Sequence, residues 1–265
     1  MLIDTVHTNI TNSNSILSFE TAGGGSWKVW DRYLAIEGKR AYHIGNVCGT
    51  CSFFFERMEG ANQSINPEEI VSTLNEGVKS LDKDLLISLE KIIPDGKYIV
   101  LLEKACPNLT KAGSGNDYFS NEQVALWGVD GFWGMPHFPK TEYYRLASSQ
   151  FKKGAGFYEF LVPTFPHSWL NNETVEQYRE LIRVGNEPTM VGLSVLDVKE
   201  PADWEDEKDI TSHYCMAHYL VDGHHKAYAA ALENKPLTLI SFLALEQGVS
   251  SEDDISELIS SMKKA

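Results

Sequence analysis

The chain has 265 residues, 43% of them hydrophobic and 11% aromatic, which is enough to build a large buried core in one domain or two. Its formal net charge is -14, from 37 acidic against 23 basic residues, and that excess opposes broad contact with a nucleic-acid backbone. No apolar run approaches the roughly 20 residues of a membrane helix, and the opening MLIDTVHTN has neither a basic nor an apolar leader segment. The expected setting is cytoplasmic, with neither DNA nor a membrane among the partners; the oligomeric state is left open.

The first 25 residues, rich in Asn, Ser, Thr and Gly up to AGGGS, predict an irregular lead-in. From 27 to 44, aromatic and aliphatic residues alternate with polar ones around EGK, which predicts a β-hairpin. Asn66 and Pro67 supply an N-cap and first-turn pair, and Ile70, Val71, Leu74 and Val78 continue at helical spacing past a weak point at Gly77. That helical region should reach Ile92, and after the turn PDG the run KYIVLLEKA predicts a buried strand.

Residues 107 to 170 are dense in Gly, Pro and aromatics and predict packed loops with one strand at GFYEFLVPTF. His137 and His167 lie in these loops, where with Lys140 and Arg145 they could meet an acidic substrate or simply pack. Asn172 should cap a helix running to Arg183 and ending at Gly185, followed by the strand TMVGLSVLDV and an acidic loop. From Ser251, the positions of Ile255, Leu258, Ile259 and Met262 predict an amphipathic helix. These elements define an α+β protein with mixed sheets. The predicted organisation is an amino-terminal region at 1–185, a strand-turn-helix-strand unit at 186–248, and a terminal helix at 249–265.

Two motifs carry chemistry. Cys48 and Cys51 have the CxxC spacing that lets two thiolates face one Zn2+, with Cys106, Cys215, His43 or His218 as completing ligands. The same spacing suits a dithiol redox pair or ordinary packing. The second motif lies in HYLVDGHHKAYAAALENKPLTLISFLAL, residues 218 to 245. Its apolar strand and alanine-rich helix put Asp222 and Gly223 at a strand-to-helix turn, with His224, His225 and Lys226 in the first helical turn. Free amides and the positive end of the helix dipole make such a turn an anion site. Gly223 permits close approach, His225 can donate a hydrogen bond and Lys226 adds a charge. Asp222 could hold Mg2+ or accept a proton, or it could merely cap the helix.

Over these residues the chain resembles the ParB-like and sulfiredoxin-like superfamily, whose Asp-Gly-His-His-Arg or Gly-x-His-Arg turn lies between an apolar strand and an alanine-rich helix. TMVGLSVLDV then corresponds to the superfamily's first strand. The resemblance implies a phosphate cradle for ATP, ADP or CTP with Mg2+, made by Gly223, His225 and Lys226, in an enzyme that hydrolyses or transfers phosphate on a small molecule. It places His224 at the sulfiredoxin catalytic cysteine; Asp222, beside it, is the candidate for handling metal or a proton. Histidine cannot form a thiosulfinate, so sulfiredoxin chemistry is not expected, and lysine in place of arginine removes bidentate geometry. The alternative expectation is a non-catalytic module, stabilised by zinc, that recognises an anionic small molecule or a protein.

Overall fold

The computed structural model describes residues 1–62, 71–129, 136–203 and 208–264. Asn66, Pro67, Ile70, part of the aromatic loop and part of the acidic loop lie outside the described residues. The polar start, expected to be irregular, forms β1 (Leu2–Ile10) and β2 (Leu17–Gly24). Its Ile, Thr and Val residues are β-branched, and β1 lies at a sheet edge where polar side chains can face water. The expected hairpin is β3 (Trp27–Ile36) and β4 (Lys39–Asn46), joined through left-handed Glu37 and Gly38, and a short β5 (Glu56–Arg57) follows.

The expected long helical region is divided at Gly77 (φ 90) into α1 (Val71–Glu76) and α2 (Lys83–Glu90), before the expected strand β6 (Gly96–Ala105). The loop region is more ordered than its composition suggests. It holds β7 (Asn108–Thr110), α3 (Glu122–Trp127), β8 (Tyr143–Lys152) and β9 (Gly154–Val162). Then come α4 (Asn172–Arg183), capped by Asn171 rather than Asn172, and β10 (Thr189–Lys199). The turn region gives β11 (Ile210–Asp222), α5 (His224–Glu233) and β12 (Leu237–Ala244), and α6 (Glu252–Met262) ends the chain with a capping box at Ser251.

Eight strands form one mixed sheet in the order β1-β6-β12-β10-β11-β9-β8-β7, and β2-β3-β4-β5 form a small antiparallel sheet. The three strands of the 186–248 unit therefore lie inside a sheet whose other strands come from the preceding residues. Side chains alternate between the two faces of the large sheet. Val100, Leu102, Leu193, Val195, Ala217, Tyr219, Ile240 and Phe242 join Leu34, Ile36, Tyr42 and Ile44 of the small sheet in one core. On the other face, one cluster packs with Ile255, Leu258 and Ile259 of α6, and another packs with Val175 and Ile182 of α4 and the alanines of α5.

The two sheets are joined by a buried ion pair. Arg32 on β3 reaches Asp197 on β10 in a bidentate contact of 2.9 and 2.6 Å, and it also donates to the carbonyls of Ile44, Asn46 and Gln247. Gly45 leaves the necessary room, since a Cβ there would stand 3.0 Å from the guanidinium. Removing one partner of such a pair strands a charge at a cost of about 3–5 kcal/mol, whereas a matched apolar pair restores much of it. Denaturant titration should show Asp197→Leu losing that much stability, with Arg32→Met/Asp197→Leu recovering well over half. An additive double variant would mean that the pair does not couple the sheets.

Candidate functional site

The DGHHK turn has the expected backbone, but its polar groups are already engaged. Gly223 is left-handed (φ 103), and a Cβ there would lie 2.9 Å from Met190 Cγ, so the strand-to-helix corner requires glycine. Lys226 is buried and donates to Asp222 Oδ2 at 2.7 Å and to the Thr189 carbonyl at 3.0 Å. His224 Nε2 accepts from the Thr164 amide at 3.0 Å, and His225 Nε2 accepts from the Asn171 amide at 3.0 Å. A nitrogen that accepts an amide proton cannot donate to a phosphate. Burial lowers the pKa of both rings, and Phe165 stacks on His224 at 3.8 Å. In this structure, of the residues expected at the cradle (Gly223, His225 and Lys226, with Asp222 and His224 beside them), the two histidines hold the 164–171 loop, and Lys226 bridges Asp222 and the Thr189 carbonyl.

Cys48 and Cys51, expected as half of a zinc site, form a disulfide, and sulfurs bonded to each other offer no thiolate pair to Zn2+. Of the residues considered to complete that site, Cys215 is buried against the Tyr118 hydroxyl and His43 pairs with Asp31. The bonded pair fits the dithiol reading of the same spacing. The Cys51 amide donates to Cys48 Sγ at 3.0 Å, with Thr50 Oγ1 at 3.4 Å. Lys199, lowered in pKa by burial, holds the Cys48 carbonyl at 2.7 Å, and Trp127 Nε1 holds the Thr50 carbonyl at 3.1 Å.

This loop borders a cleft of about 470 Å3. Trp30, Trp127 and Phe54 supply aromatic walls; Asp31, Glu56, His43 and His137 supply polar groups; Cys51 lies among them. His43 Nε2 is 3.1 Å from Asp31 Oδ1, and its ring stacks on Tyr33 and meets the edge of Phe54. His137 Nε2 donates to the Phe55 carbonyl at 3.0 Å, and Glu56 pairs with Lys140. Burial lowers the pKa of both His43 and His137, so at neutral pH the Asp31 carboxylate is not cancelled by its histidine. His137 and Lys140, read from sequence either as contacts to an acidic substrate or as loop packing, face a carbonyl and a carboxylate respectively.

A third constellation crosses the large sheet between the two apolar clusters of its helix-bearing face. Five central strands each place one polar side chain there: Glu103 on β6, Ser241 on β12, Ser194 on β10, His218 on β11 and Glu159 on β9. All are buried. His218 Nε2 is 3.1 Å from Glu159 and 4.0 Å from Glu103, while Nδ1 meets the hydroxyls of Ser194 and Ser241 at 2.7 and 3.0 Å. Burial first, and the Glu159 charge second, push the Glu103 carboxyl well above the usual carboxylate range. Sequence reading singled out His218 only as a zinc ligand for the cysteines. The available signal was a polar residue at an interior position of each of these five largely apolar strands.

No family model, curated protein or solved structure matches the chain.

Burial holds His213 and His224 at pKa values of about 3. An unfolded histidine protonates near 6.5, so the unfolded state binds the extra protons between these values and stability falls as pH drops from about 6.5 toward 3. Each ring can contribute up to about 1.4 kcal/mol per pH unit in that window. His224→Gln, which keeps an acceptor for the Thr164 amide, should flatten the slope of unfolding free energy between pH 4.5 and 6 by one histidine's share. An unaltered slope would show that His224 is protonated in the folded chain.

Proposed function

We propose that this protein binds a small molecule in the cleft beside Cys48–Cys51, and that the ligand is neutral or cationic with a flat aromatic part. The observation that carries this reading is the convergence of two tryptophans, a phenylalanine and the Asp31 carboxylate on one cavity of about 470 Å3. Small-molecule sites are typically about 300–1,000 Å3, mostly apolar, with a few polar groups that fix orientation. Tryptophan faces and a carboxylate favour a cation over an anion. The expected preference for anionic ligands is therefore reversed for this cleft. The disulfide closes the loop at its edge, so the dithiol state should bind with altered affinity.

A thermal-shift screen of aromatic amines and quaternary ammonium compounds should yield ligands whose affinity falls in Asp31→Asn. A charge-assisted hydrogen bond of about 1.5–3 kcal/mol corresponds to roughly 10- to 150-fold in affinity. Trp127→Ala should weaken the same compounds, and Cys48→Ser/Cys51→Ser should change their affinity with or without reductant. Hits that ignore both Asp31→Asn and Trp127→Ala would place binding elsewhere and remove the proposal.

A second reading follows the superfamily resemblance: ATP, ADP or CTP with Mg2+ at residues 222 to 226, in an enzyme acting on phosphate. It is favoured by the strand-turn-helix-strand order and by the start of α5, where Gly223 makes no side-chain cap. It requires Lys226 to leave Asp222 and Thr189 on binding. Magnesium nucleotide at 100 times its dissociation constant should then add about 2.7 kcal/mol of stability, and Lys226→Ala should abolish that gain. The absence of any gain across the three nucleotides would leave the turn with its structural role alone.

A further inference from the structure

Glu103, Glu159 and His218 bring their ligand atoms within 4.8 Å of one another at the centre of the large sheet. The group draws on β6, β9 and β11, and the sequence separations of 56 and 59 residues mean that only the sheet register assembles it. Glu103 Oε1 is buried without a hydrogen-bond partner, and it is this oxygen that stands 4.0 Å from His218 Nε2. Two carboxyl groups side by side in the interior need a cation or a shared proton between them. One imidazole cannot neutralise two carboxylates. A divalent ion can.

The orientation of the imidazole agrees. Ser194 and Ser241 occupy the Nδ1 side, with their hydroxyls 2.7 Å apart, so one can accept the Nδ1 proton and leave the Nε2 lone pair aimed at the two carboxylates. A hydrogen bond to the far ring nitrogen is the usual outer-shell support of a ligating histidine. Bonds of roughly 2.0–2.2 Å to nitrogen and carboxylate oxygen leave neighbouring ligand atoms roughly 3–3.5 Å apart. The His218–Glu159 separation of 3.1 Å fits this, and the Glu103 oxygen, 4.0 Å from Nε2, has to move inward to join them.

We propose that Glu103, Glu159 and His218 bind a divalent first-row transition ion, tying three strands of the sheet together at its polar centre. Mixed carboxylate and imidazole ligands suit Zn2+, Mn2+ or Fe2+ better than Ca2+ or Mg2+, which prefer all-oxygen shells. The side chains are at most 6% exposed, so the ion is enclosed and its role is to hold the sheet rather than to receive a bulky substrate. This site is separate from the cleft and from Cys48–Cys51.

The test is metal analysis of the full chain purified without chelator, followed by chelator stripping and titration with Zn2+ and Mn2+ under thermal unfolding. The parent chain should carry or take up one equivalent of metal and melt higher with it. Glu103→Gln keeps the shape while removing a ligating charge, so it should bind at least 10-fold more weakly. In the stripped state it should melt at or above the parent, because it no longer buries that carboxylate. This opposite sign separates a metal site from a simple hydrogen-bonded cluster and does not depend on His218→Ala folding. A parent chain that carries no metal and shows no melting shift with Zn2+, Mn2+ or anaerobic Fe2+ overturns the proposal. So does a Glu103→Gln variant that binds metal as the parent does.

Discussion

The contact between Arg32 and Asp197 sets the position of everything at the cleft. Consecutive residues on a strand point to opposite faces, so when Arg32 turns inward to the large sheet, Asp31 must turn outward into the cavity. The same guanidinium holds the Asn46 carbonyl at the end of β4, and Asp197 also accepts from the Val249 amide, which fixes the approach to α6. Two residues beyond Asp197, Lys199 grips the Cys48 carbonyl. One strand of the large sheet therefore supplies both the partner of Arg32 and an anchor of the disulfide loop. Moving β10 relative to β3 would displace the carboxylate, the loop and the wall of the cleft together.

The interior handles its acids in two different ways. Asp197 has complete compensation: a bidentate arginine, a lysine at 3.7 Å and a backbone amide. Glu103 and Glu159 share a single histidine and two hydroxyls, and one oxygen is left over. Buried charges are ordinarily paired or bound to a metal, so the contrast within one sheet marks the second group as the unusual one. Its position between two apolar clusters adds to this. Five strands each give up an apolar position on this face, between clusters of apolar residues on either side.

Local periodicity made much of the fold legible in the sequence. The hairpin at β3 and β4, the buried strands β6 and β10, the helices α4 and α6, and the order β11-α5-β12 all carry signals within a dozen residues. β1, β2 and β8 were missed because polar composition at exposed or edge positions masks their alternation. The cleft and the polar centre were not legible for a stronger reason. Asp31 and Trp127, or Glu103 and Glu159, meet only through strand order, and sequence spacing does not encode which strands become neighbours.

The DGHHK turn shows how a chemical motif and a structural one can be written in the same letters. Donors and acceptors at the start of a helix need partners whether or not a ligand exists, because an unmet buried group costs about 1–3 kcal/mol. Residues Asp222 and Lys226, one helical turn apart, satisfy each other, and the two imidazoles receive amides from the loop that crosses above them. Those amides belong to Thr164 and Asn171, more than fifty residues earlier, so the turn's own sequence could announce the imidazole acceptors but not the amide donors that reach them. A phosphate at this turn would have to outcompete an ion pair whose lysine is already buried, and it would find both Nε2 atoms taken by amides, which leaves only the Nδ1 side of each ring to donate. In the cleft the Asp31 carboxylate meets a histidine whose pKa burial lowers, and the aromatic faces line the cavity itself, so among the described residues a ligand there has no buried ion pair to displace.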